Sequence, residues 1–189
     1  MIKEHLDRSI IITGASVTGK TTLFRRLTVH FRLNTMSVHT TRALRDGEIE
    51  DVDGVFLSEE EFKDRFNNGD YLQESLESAF FSGAYYGCSK EWVDSTVRGD
   101  FSCFVCPTVK MAKKIKNLLG QKIFWVHLVA NEEVRHQRLM RRDPSLEAKN
   151  FKLRIERGGV SVDIEGHDLL IDTSYLNAWE IFFRALIRL

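Results

Sequence analysis

Proline and cysteine are scarce in this chain of 189 residues, at 2 and 3, and neither sign of charge is in excess, with 27 Lys+Arg against 27 Asp+Glu. Each shortage excludes something. Two prolines and 12 glycines, without a periodic repeat, leave no collagen-like segment and no Pro-rich linker. Cys88, Cys103 and Cys106 cannot all pair within the chain and are too few for a disulfide scaffold, so reduced thiols are expected. A net charge of zero argues against general affinity for nucleic acid, which needs a positive excess over an extended surface. No apolar run approaches the roughly 18 residues that cross a bilayer, so no membrane span is expected. Glu4 and Asp7 stand where a signal peptide would carry its apolar segment, and the expected location is cytoplasmic.

What remains is a single mixed domain, 43% hydrophobic and long enough to bury a core. Apolar and amphipathic runs alternate along it. Ile10-Ile11-Ile12 reads as a strand, and Leu23, Phe24, Leu27 and Phe31 then recur at helical spacing. Phe101 to Cys106 reads as a second strand, ending at Pro107, before a helix near 108–119 closed by Gly120. Residues 123–129 form a strand, Asn131 caps a helix to about Arg142, residues 169–171 form a last strand, and a terminal helix starts at Ser174. This order predicts an α/β domain with helices on both faces of a parallel sheet. Cys103 and Cys106 have CxxC spacing, but residues three apart on a strand point to opposite faces, and no second Cys/His pair completes a zinc site.

Between the first strand and the first helix lies Gly14-Ala15-Ser16-Val17-Thr18-Gly19-Lys20-Thr21-Thr22, which fits GxxxxGK[ST] in its required strand–loop–helix context. Glycines let backbone N–H groups turn toward phosphate oxygens, and the following helix presents its positive end to the same charge. Lys20 is then expected to bridge the β- and γ-phosphates of a triphosphate, and the Thr21 hydroxyl to reach Mg²⁺.

Beyond the loop, His39-Thr40-Thr41-Arg42-Ala43-Leu44-Arg45-Asp46-Gly47-Glu48 resembles a stretch of guanylate kinases. The resemblance continues through residues 52–62, 68–72, 82–90 and Arg138-Leu139-Met140-Arg141-Arg142, in the same order. It implies a P-loop NTPase core with a parallel sheet (about 1–45, 89–141 and 167–189), an inserted substrate-binding subdomain (about 46–88) and a mobile lid (about 142–166). It also implies transfer of phosphate from ATP, with Mg²⁺, to a small phosphorylated acceptor, GMP first among them. Arg42, Arg45 and Tyr86 match the residues that hold the acceptor phosphate. Arg138, Arg142 and Arg154 match lid arginines closing over the transferring group.

The same resemblance breaks at the positions that read the base. Val38 and Cys88 replace hydroxyl donors there; elsewhere Gly54 replaces a tyrosine that contacts the acceptor phosphate, and Cys106-Pro107-Thr108 replaces a pair of aspartates that organise Mg²⁺ and the acceptor. Cys88 keeps its place among the expected substrate-binding residues, and the base-reading carboxylate position falls on Glu77 or Gln73, with Glu77 favoured. A buried donor lost costs about 1–3 kcal/mol, enough to relax selectivity. A ribose 1,5-bisphosphate kinase of the same fold, a kinase for another nucleoside monophosphate, and a silent guanylate-kinase-like binding module therefore stand as alternatives. The expected assembly is a monomer or homodimer. Charge is segregated: residues 46–77 carry 12 acidic and 2 basic side chains, whereas 1–45 carry 2 acidic and 8 basic. The positive blocks coincide with the loop, the acceptor arginines and the lid.

Overall fold

The computed structural model describes residues 6–35, 38–45, 47–72, 80–81, 83–142 and 164–189. Gln73, Glu77, Arg154 and nearly all of the expected lid lie outside the described residues. Five strands form a parallel sheet: β1 (Ser9–Gly14), β2 (Asn34–Thr35), β7 (Ser102–Val105), β8 (Ile123–Val129) and β9 (Leu169–Asp172), in the order β2-β7-β1-β8-β9. A second sheet, β4-β3-β6-β5, is built from β3 (His39–Thr40), β4 (Val55–Phe56), β5 (Phe80–Phe81) and β6 (Ala84–Gly87). It takes up His39–Thr40, a segment that the sequence assigns to the core.

Because side chains alternate along a strand, each strand of the large sheet feeds two layers. On one face Ile10, Ile12, Cys103, Phe124, Val126 and Leu128 pack against α1 (Lys20–Phe31) and α6 (Ala178–Leu186). On the other, Ile11, Phe104, Cys106 and Trp125 pack against α4 (Val109–Leu119) and against Trp92 of α3 (Lys90–Arg98). Cys103 and Cys106 thus enter opposite layers as free, buried thiols, and no described group of three or more His, Cys, Asp or Glu could hold a metal ion. Among the described residues no helix is long and apolar enough to cross a membrane.

Local chemistry accounts for the helix starts. Ser58 opens α2 (Glu59–Asn67) with a reciprocal capping box to Glu61. Asn131 accepts the N–H of Val134 at 2.8 Å and opens α5 (Glu132–Arg142). The terminal helix differs from its expected start at Ser174. Asp172 Oδ1 accepts both the N–H and the hydroxyl of Ser174, at 2.9 and 2.6 Å, and this turn postpones the helix to Ala178, with Asn177 as its cap. Helix α3, capped by Ser89, lies in a stretch for which the sequence predicts no element.

Candidate active site

The phosphate loop begins where Gly14, at the end of β1, pairs with Leu128 of β8. A Cβ at Gly14 would stand 2.3 Å from the Leu128 carbonyl oxygen and 2.8 Å from Thr18 Oγ1, and the residue has φ +147°, so only glycine fits. The loop then turns through Val17 at φ 58° and Gly19 at φ 99°. Left-handed backbone at a β-branched residue costs about 1–3 kcal/mol and is held by its surroundings. Thr18 Oγ1 donates to the Ala15 carbonyl at 3.0 Å, and Thr173 Oγ1 donates to the Thr18 carbonyl at 3.0 Å. Gly19 caps α1 without a side-chain hydrogen bond, which leaves first-turn N–H groups for a ligand.

Lys20 folds back over this loop and donates to the carbonyls of Gly14 and Ala15 at 2.9 and 2.6 Å. Burial of the ammonium, followed by the charges of Arg45, Arg142 and Arg135, pushes its pKa down from 10.5 to about 7. Four cations from three parts of the chain therefore share one electrostatic site. Arg142 lies in the last turn of α5. Arg138, one turn earlier, donates to Thr173 Oγ1 and O at 3.1 and 2.6 Å and to the Val17 carbonyl at 3.4 Å. Arg138 is thereby anchored to the loop and to the end of β9.

Arg135 is a site cation that the sequence does not single out. It is 1% exposed, on the core face of α5 with Leu139. Positions 135, 138 and 142 recur at i, i+3 and i+7, a spacing that could have flagged it.

The acceptor-side arginines converge on Glu48. Arg42 grips that carboxylate bidentately, Nη1 to Oε2 at 2.7 Å and Nη2 to Oε1 at 2.9 Å, and the Arg45 N–H donates to Oε2 at 3.0 Å. The Arg42 guanidinium also lies 4.8 Å from the centre of the Phe56 ring, a cation–π contact. Phe56 explains the glycine at 54: a Cβ there would stand 3.0 Å from the ring. The aromatic plane under Arg42 is supplied from two residues further on. Tyr86 pairs across β3–β6 with Thr40, and its phenolic group acts on Arg45, whose pKa is lowered mainly by burial and by Arg42.

The base-side substitutions assemble into one place. Val38, Cys88 and Cys106 belong to a single apolar cluster with Leu72 and Phe104. Cys88, expected to contact substrate, is fully buried, with its thiol pKa raised by burial and by Cys106. Thr108 is the cap of α4, accepting the Met111 N–H at 3.1 Å. Thr21 is exposed at the head of α1. The Thr21 hydroxyl is a hard oxygen donor of the kind that suits Mg²⁺.

The family model for guanylate kinase matches residues 6–179. The guanylate kinase of Chlorobium luteolum is 31% identical over 156 residues, covering 82% of this chain and 77% of that protein. That of Chlamydia muridarum is 32% identical over 160 residues, covering 83% and 75%. The solved guanylate kinase of Anaplasma phagocytophilum superposes with a TM-score of 0.66 at 20% identity, over 97% of this chain and 85% of that one, and has the same fold. With the strand–loop–helix of the phosphate loop in place and a match spanning nearly its whole length, the chain belongs to the guanylate kinase family.

Proposed function

We propose that the protein transfers the γ-phosphoryl group of ATP to the phosphate of GMP, giving ADP and GDP. The observation that carries this reading is the phosphate loop of a guanylate kinase family chain, with Lys20 folded over the Gly14 and Ala15 carbonyls, the first-turn N–H groups of α1 left open, and the charges of Arg45 and Arg142 acting on that lysine. Like charges held together in a partly buried site raise the energy of the empty arrangement, and a polyanion lying across them relieves it.

In this reading the amides of the loop 14–22 and Lys20 hold the β- and γ-phosphates of the donor. Arg42 and Arg45 hold the acceptor phosphate, with Tyr86 beside them. An oxygen of that phosphate attacks the γ-phosphorus, and the bond to the β–γ bridging oxygen breaks, leaving the electron pair on ADP. Arg142 and Arg135, whose charges act on Lys20, stabilise negative charge on the moving group in the same reading. Arg138 ties α5 to the loop and so keeps these cations in register. Bound Mg²⁺, with Thr21 as its protein ligand, supplies neutralisation and orientation of the triphosphate. Arg154 and Glu77 are assigned their lid and base-reading roles on the resemblance alone.

Steady-state ADP release from ATP–Mg²⁺ tests the reading against GMP, dGMP, AMP, CMP, UMP and ribose 1,5-bisphosphate. The highest kcat/KM is expected with GMP. A higher value with a base-free acceptor would overturn the assignment, and no release with any acceptor would return the protein to the binding-module class.

A further inference from the structure

Arg25 has no role in the sequence motifs, yet it joins the helix of the phosphate loop to the loop that carries the acceptor arginines' partner. Its Nη2 donates to Asp53 Oδ2 at 2.9 Å and to the Gly47 carbonyl at 3.1 Å. Asp53 Oδ2 also accepts the Ile49 N–H at 3.0 Å, and the Asp53 side chain is 6% exposed. One guanidinium nitrogen thereby holds both ends of residues 47–53. Within that segment, the N–H groups of Val52 and Asp53 return to the Ile49 carbonyl, so the loop is braced internally. Glu48 lies inside it and grips Arg42 and Arg45.

We propose that Arg25 is a positioning residue for phosphoryl transfer, a strut that fixes the acceptor arginines relative to the phosphate loop. The proposal rests on the kinase reading above. Lys20 and Arg25 stand five residues apart on α1, about 7.5 Å along its axis, and a helix is a stiff spacer. In-line transfer requires the reacting atoms about 3–3.5 Å apart, and a displacement of about 1 Å costs on the order of a hundredfold in rate. A loop anchored at one helix position therefore matters to the acceptor and not to the donor. An exposed ion pair would contribute little, but here the carboxylate is buried and already bonded to backbone, so it holds its place.

The test compares wild type with Arg25→Met, Arg25→Lys, Asp53→Asn and the double variant Arg25→Met/Asp53→Asn. Arg25→Met is expected to lower kcat/KM for GMP about ten- to a hundredfold, through kcat or KM for GMP, while KM for ATP changes by less than about twofold. Arg25→Lys, which keeps the cation on a shorter side chain and so holds Asp53 and the Gly47 carbonyl at greater distance, should recover part of the loss. The double variant should be no worse than Arg25→Met alone. Equal effects on both substrates, or none, would overturn the strut. Hydrogen exchange at the Ile49 and Asp53 amides reads the same contact without turnover: faster exchange in Arg25→Met is expected, and unchanged exchange refutes it. If wild type does not phosphorylate GMP, the functional reading fails, and amide exchange still decides the strut.

Discussion

Removing the charge of Lys20 should change how the stability of the protein depends on pH. The ammonium has a pKa near 10.5 in an unfolded chain and about 7 in the folded one, through burial first and then the charges of Arg45, Arg142 and Arg135. Between those values the unfolded chain keeps a proton that the folded one has released. Stability therefore rises with pH across the window, and the penalty is fully present below about pH 7. At 1.36 kcal/mol per tenfold change, the full window corresponds to at most about 5 kcal/mol. Solvent around the partly covered side chain and adjustment of the loop reduce this to roughly 1–3 kcal/mol. Urea unfolding of wild type and Lys20→Met from about pH 7 to about pH 9.5 measures it: wild type should gain that amount relative to the variant. Parallel curves would refute the account of the site. The same reasoning predicts that ATP, by bringing negative charge to Lys20, takes up a proton on binding near pH 8. Calorimetry in buffers of different ionisation enthalpy would show it.

Other perturbations test separate parts of the structure. Arg42→Ala and Glu48→Ala, alone and together, should show a coupling of about 1–2 kcal/mol in unfolding free energy, because two charge-assisted bonds join side chains each 18% exposed. Additivity within about 0.5 kcal/mol would remove the pair from the account. Gly14→Ala should cost more than about 4 kcal/mol or prevent folding, since its Cβ would meet the Leu128 carbonyl oxygen at 2.3 Å; a melting temperature equal to that of wild type would contradict this. All three thiols should resist an aqueous disulfide reagent until the protein is unfolded, because burial removes access and raises their pKa values, that of Cys106 to about 12. One rapidly reacting thiol in the native protein would show the layer assignment to be wrong.

Features written in a few consecutive residues could be read before the structure was known. The strand–loop–helix of the phosphate loop and the opposed faces of Cys103 and Cys106 follow from spacing alone, and each is observed as expected. Where distant segments compete, spacing is not enough. Ser174 has the chemistry of a helix cap, but its hydroxyl is drawn to Asp172 and also accepts the Asn131 N–H at 2.8 Å, so Asn177 takes that place. Gly54 looks like a lost aromatic until the Phe56 ring is seen to fill its space and to lie under Arg42. Arg25 and Arg135 carry no motif. Their importance comes from what the fold brings against them, a loop 22 to 28 residues away for one and the Lys20 ammonium for the other. Cys88 is the reverse case, a residue aligned with a substrate contact that the apolar cluster around Val38 and Cys106 has absorbed.

The central claim concerns the destination of one phosphoryl group. Mixing wild-type protein with GMP, Mg²⁺ and ATP labelled at its γ-phosphorus, then separating the products, follows that group directly. Label appearing in GDP, and failing to appear with Lys20→Ala, is the predicted result. Label retained in ATP, or released only as inorganic phosphate, would contradict the account.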